Sequence, residues 1–162
     1  MLDNVPFDPR ALRNAFGRFA SGITVVSLTD DQDRPTGVTV SSFSSLSLDP
    51  PLCLFSLGKT QASRKWIESG AGFNVNILGH GQSAAAWQFA KPLEDKFEGL
   101  DWFPGRNGLP VIAGALCHFE CTKWNLYDGG DHVIVVGHIE HFIEGDGDPL
   151  VFYRGKMATV AE

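Results

Sequence analysis

Ile23-Thr24-Val25-Val26-Ser27-Leu28, then Asp30-Asp31-Gln32-Asp33-Arg34-Pro35, then Gly37-Val38-Thr39-Val40-Ser41-Ser42-Phe43: this stretch decides the fold class. Its two flanks are dense in β-branched residues, and its middle is a run of turn formers. It predicts a β-hairpin over residues 23–43. Working outward, Asp8-Pro9 is a helix start, with a carboxylate cap and proline at the first helical position. Leu12, Ala15, Phe16 and Phe19 follow at helical spacing, so residues 9–20 are expected to form an amphipathic helix ended by Gly22. Downstream, Asp49-Pro50-Pro51 breaks the chain before a buried strand at Leu52–Leu57. A short helix is expected over residues 61–69, capped by Thr60 and closed by Gly70. A strand at Phe73–Leu78 and a second short helix at Ser83–Ala90 follow. Lys91–Pro110 reads as a loop. Two long strands, Ala115–Asn125 and His132–Ile143, flank Tyr127-Asp128-Gly129-Gly130, and Leu150–Tyr153 is a last strand.

One helix, many strands and few further helices is not the strand–helix alternation of a parallel sheet. The order predicts a mostly β chain, an antiparallel barrel with Greek-key-like connections and small helices over its openings. With 162 residues, 43% hydrophobic and 20% charged, one domain over residues 1–162 is expected. The net charge of −6 repels phosphate backbones, which argues against nucleic acid as a partner. Three cysteines do not make a secreted disulfide framework. The first residues lack a basic start and an apolar run, and no stretch approaches the ~20 apolar residues that span a bilayer. A cytoplasmic location away from membranes is the expectation.

Several motifs are missing or fail. There is no Gly-x-Gly-x-x-Gly after a strand and no Walker loop. Ser56-Leu57-Gly58-Lys59 matches Ser-x-x-Lys by chance, without its companion motifs. Cys117 and Cys121 on one strand lie ~13 Å apart, too far for one zinc, and are read as core cysteines. His132 and His138 share a face but are distant, and His141 points the other way. No metal site is expected.

Three segments carry more. Thr39–Ser47 runs from a strand end into a loop whose hydroxyls and amides can meet a planar, acceptor-rich ring or simply satisfy a twisted backbone. Lys59-Thr60-Gln61-Ala62-Ser63-Arg64-Lys65-Trp66 puts hydroxyls and cations at a helix start, with Ser63 and Arg64 as phosphate donors. The plain alternative is a solvated first turn, yet the helix dipole disfavours Arg64 and Lys65 there unless an anion is bound. Gly129-Gly130-Asp131-His132 places an imidazole beside an acid at a strand start.

The stretch Gly37–Pro51, Ser63-Arg64-Lys65-Trp66, Phe73–Leu78, Asp95-Lys96-Phe97-Glu98-Gly99, Asp128–Val133 and Phe152-Tyr153-Arg154-Gly155 occur in one order over roughly residues 8–155. Together they resemble the short-chain flavin reductases that serve two-component aromatic monooxygenases. The resemblance implies an FMN-binding split barrel, a homodimer, and flavin near the dimer interface. It implies FMN or FAD as cofactor, NADH or NADPH as hydride donor, and a separate oxygenase that receives reduced flavin. Carried over, Val40, Ser41, Ser42, Phe43 and Ser44 line the isoalloxazine, with Leu46 and Ser47 beside it. Ser63 and Arg64 hold the ribityl phosphate, and Lys96 and Phe97 contact flavin from their loop. His132, Tyr153 and Arg154 fall on the nicotinamide side, His132 as a positioning group. Flavin carries the hydride chemistry, so no triad is required. Two other readings stay open: a flavoprotein that keeps its flavin and reduces another acceptor such as ferric iron or a quinone, and a flavin-binding module without turnover.

Overall fold

The computed structural model describes residues 6–160. Helix α1 (Pro9–Phe16) starts as the sequence predicts: the Asp8 carboxylate accepts from the Arg10 amide at 3.0 Å. It stops at Phe16 rather than residue 20, because the chain turns at Gly17 and then enters a short strand, β1 (Ser21–Gly22). The hairpin follows as β2 (Thr24–Thr29) and β3 (Pro35–Val40), paired Thr24 to Val40. Asp30 organises its turn by accepting from the amides of Gln32 and Arg34 at 2.8 and 3.0 Å. The second strand ends at Val40, not Phe43.

The Ser-dense segment that the sequence suggests as loop is an edge strand, β4 (Ser44–Leu48), bulged at Leu46 and paired with β5 (Pro51–Gly58). Helix α2 (Arg64–Ser69) is shorter than the 61–69 expected, and Thr60 is not its cap. Backbone turns, Gln61 N to Gly58 O and Arg64 N to Gln61 O, occupy the first residues, and Ser63 stands at the cap position without a side-chain cap bond. Then come β6 (Gly72–Ile77) and α3 (Ser83–Ala90), the latter as predicted. Inside the expected 91–110 loop begins a small hairpin of β7 (Trp102–Pro104) and β8 (Pro110–Ile112). The long strands are β9 (Cys117–Gly129) and β10 (His132–Glu144). The last strand, β11 (Val151–Tyr153), gains a partner missed in the sequence, β12 (Lys156–Ala158).

Seven strands form one antiparallel sheet in the order β3-β2-β6-β9-β10-β5-β4. It curls until β3 comes against β5 without a ladder, their side chains sharing one core, and residues 41–43 link β3 to the edge strand β4. The barrel is split at that seam. Its interior is filled from every side by Val26, Val38, Phe55, Phe73, Val75 and Val135, with Ile67 of α2. Gly137 leaves room for this packing. A β-carbon there would stand 2.7 Å from the Phe73 ring, and beside it Cys53 and Cys121 bring their sulfurs to 3.8 Å. A second core lies outside β2 and β6, where α3 contributes Phe89 and the loop after it Phe97 against Ile23, Val25 and Leu78. Both faces of β2 are therefore buried, and Ser27 on its outer face donates to Pro110 O at 2.5 Å.

Candidate functional site

The seam creates the site. Ser42 donates to Ser56 O at 3.0 Å and accepts from Ser56 N at 2.9 Å, which clamps the crossing segment to β5 although no strand pairing holds it there. Ser41 stays exposed. His132 enters from β10, its backbone paired with Gly58 at the end of β5. Its Nδ1 lies 2.7 Å from Asp131 Oδ1, and a β-carbon at Gly58 would lie 3.9 Å from its Nε2. The imidazole bond holds the Asp131 carboxyl below the usual carboxylate range. Val40, Ser41, Ser42, Gln61 and His132 thus share one cavity of about 220 Å³.

Gln61 also lines a neighbouring cavity of about 470 Å³. Ser63, Trp66 and Lys96 stand in its walls. Ser63 is 5% exposed, and neither its hydroxyl nor the Trp66 Nε1 has a hydrogen-bond partner among the described residues. A buried polar group left unpaired costs about 1–3 kcal/mol. Two such donors, with an ammonium in the same cavity, fit an anionic acceptor such as a phosphate. Lys96 donates to Phe89 O at 3.0 Å, and burial pulls its pKa below the ordinary lysine value. On the other side, Ser41 also lines a third and larger cleft that contains Arg154. The three adjoin, with Gln61 lining the first two and Ser41 lining the first and the third.

The remaining sequence candidates line none of the three. Arg64 is paired with Glu68, its Nε 2.6 Å from Glu68 Oε1, in an open depression that adjoins the others at Gln61 and that Ser63 does not line. The Phe43 ring packs on the barrel core and stacks on Phe119 at 5.9 Å. Phe97 is 5% exposed and meets Phe89 edge-on at 4.9 Å. Ser44 bonds its neighbour's carbonyl, Leu46 is half-exposed, and Ser47 pairs with Leu52, all on edge strand β4. Tyr153 is 40% exposed just before the Arg154 turn. Sequence reasoning did not single out Gln61, which lines three neighbouring cavities, or the Trp66 indole. The one available signal for Trp66 was its position in the first turn of α2, three residues after Ser63.

Residues 16–161 match the family model described as a flavin reductase like domain. The chain belongs to the flavin reductase-like family. It is 42% identical to the reductase subunit HsaB of a flavin-dependent monooxygenase from Mycobacterium tuberculosis, over 94% of this chain and 83% of that one. It is also 42% identical to a protein of Rhizobium meliloti named "Probable flavin reductase", over 94% of this chain but only 49% of the relative, so it spans about half of that protein's length. Among solved structures, the NADH:FAD oxidoreductase of Streptomyces globisporus, in complex with NAD and FAD fragments, superposes with a TM-score of 0.90 at 37% identity, covering 96% of each chain.

Proposed function

We propose that this protein is an NAD(P)H:flavin oxidoreductase that reduces FMN or FAD and passes it to a separate monooxygenase component. Ser63 and Trp66, whose Oγ and Nε1 are buried without a partner among the described residues, carry the reading: these residues line a cavity that shares Gln61 with the cavity of His132. Bound flavin supplies the hydride-accepting centre. Ser63, Trp66 and Lys96 hold its phosphate end, while Val40, Ser41 and Ser42 border its ring. His132, fixed by Asp131, orients the nicotinamide. Family membership and the names of the relatives support the same activity.

The cavity of His132 is open. Ser41 and Ser42 are exposed, and the His132 side chain is 48% exposed. That favours flavin that exchanges with solvent over a prosthetic group. The protein acts as a homodimer: Leu48, Phe142 and Ile143 are 95%, 57% and 51% exposed at one end of the sheet, where β5 has ended and the β10 edge is bare. Ser44, Leu46 and Ser47 on β4 meet flavin only across that interface. No helix among the described residues is long and apolar enough to cross a membrane, and the enzyme works in the cytoplasm. The test is nicotinamide oxidation followed at 340 nm with catalytic protein and added FMN or FAD. Turnover that saturates with free flavin is expected. Protein that stays yellow on dialysis and ignores added flavin would sink the diffusible-flavin reading.

A further inference from the structure

Asp128-Gly129-Gly130-Asp131 carries the chain from β9 into β10, and His132 follows at once. Gly130 has φ of 75°, and residues 128–132 are all exposed, so packing does little to fix this turn. The imidazole of His132 lines its cavity together with Gln61 and is itself 48% exposed. Asp131 orients the ring, but Asp131 belongs to the same turn. A side chain is only as fixed as the backbone that carries it.

Lys59 fixes the turn from outside. Its N–H donates to Asp131 O at 2.9 Å, and its ammonium donates to Asp128 Oδ1. That ammonium holds the Asp128 carboxyl below the usual carboxylate range. The Lys59–Asp128 pair joins segments 69 residues apart in sequence. The pairs Arg34–Asp30 and Arg64–Glu68, by contrast, each lie four residues apart. On its other side the Lys59 carbonyl accepts from Arg64 Nη1 at 3.3 Å, and the adjoining turn closes through Gln61 N to Gly58 O. Lys59 therefore ties α2 and Gln61 to the turn that presents His132. It lines neither the cavity of Ser63 nor that of His132, so its effect on turnover passes through the residues it holds.

We propose that Lys59 is a positioning residue for hydride transfer: it pins the β9–β10 turn to the α2 side and keeps His132 aimed at the nicotinamide. The inference rests on the reductase reading above. An exposed ion pair adds little to global stability. A two-glycine turn without its tether, however, samples many conformations. A donor that needs His132 in place then binds with an affinity reduced by the fraction of molecules that have it there. The cost falls on the KM for the donor rather than on folding or flavin affinity.

The test compares wild type, Lys59→Met, Lys59→Arg, His132→Ala and the Lys59→Met/His132→Ala double variant. Methionine keeps the apolar stem and removes the charge, while the backbone bond to Asp131 survives. Lys59→Met is expected to raise the KM for NADH about fivefold. Its kcat and its affinities for FMN and FAD should stay within about twofold of wild type, as should every constant of Lys59→Arg. In the His132→Ala background the same loss of charge should change the KM by less than about twofold, because no imidazole is left to aim. Equal effects in the two backgrounds would overturn the proposal. So would an unchanged KM, or a loss confined to flavin affinity, which would give Lys59 to the phosphate end. Amide exchange reads the tether without turnover: Gly130–His132 should quicken in Lys59→Met while β5 and α2 stay protected, and unchanged exchange there would also refute it. If exchange quickens while wild type oxidises no donor with any flavin, the tether stands and the reductase reading falls.

Discussion

Single side chains here separate binding from folding. Ser63 spends its buried hydroxyl on no protein partner. Ser63→Ala is therefore expected to leave the urea midpoint unchanged or slightly raised, while flavin binding, followed by fluorescence quenching, weakens about tenfold. A fall in stability without a change in flavin affinity would make the hydroxyl structural. On the proposed reading His132 positions the nicotinamide, so His132→Ala should raise the KM for the nicotinamide substrate while the hydride-transfer rate falls by no more than about tenfold. A loss of several orders of magnitude at unchanged affinities in stopped flow would show chemistry instead. His118, outside these cavities, sets a pH limit. Burial holds its imidazole below the ordinary 6.5, against the pull of Glu120, whose Oε1 is 3.5 Å from Nε2, and with His141 adding to the downward shift. The unfolded chain then takes up the proton first. Stability from this group is full above pH 6.5 and is lost as pH falls towards the folded-state value. His118→Gln should flatten the slope of unfolding free energy over that window, read from urea melts at several pH values.

At the scale of elements, the crossing at residues 41–43 is held by side chains rather than by a ladder. Ser42→Ala removes both bonds to Ser56 at an exposed position. A loss of about 1 kcal/mol is expected. Amide exchange should quicken at Ser41–Phe43 and leave the β9–β10 hairpin protected, and flavin should bind more weakly. Uniform quickening across the sheet would mean that the clamp serves the barrel rather than the seam.

For the whole molecule, the open question is the apolar end of the sheet. Leu48 and Phe142 stand exposed beside the bare β10 edge, and Phe142 continues a row of rings through Phe119 to Phe43, with centroids 6.1 and 5.9 Å apart. Contiguous exposed apolar surface of this kind is a common feature of interfaces, and the proposed dimer would cover it. Sedimentation should give twice the 17.6 kDa chain mass, and a Leu48→Glu/Phe142→Glu variant should sediment as a monomer with reduced flavin affinity. A wild-type monomer at micromolar concentration would refute the dimer.

The hairpin at residues 23–43, the β9–β10 pair and helix α3 were legible because their signals are local: alternation, turn formers and helical spacing act within a few residues. Ser44–Leu48 alternates only briefly, through Leu46 and Leu48, in a run dense in serine, and it forms an edge strand by pairing with β5. The expected Thr60 cap failed for the same kind of reason, since backbone turns back to Gly58 delay α2 to Arg64. The candidate site was legible as a set of motifs but not as a geometry. Phe43 and Phe97 sit next to cavity residues in sequence, yet their rings turn into the two cores, because neighbours along an extended or looping chain face opposite sides. Ser63 and Lys96 are remote in sequence and share a cavity because α2 and the loop after α3 cover the same barrel opening. Chemistry of residue types is written locally; which of them face one another depends on how the sheet curls and where it stays open.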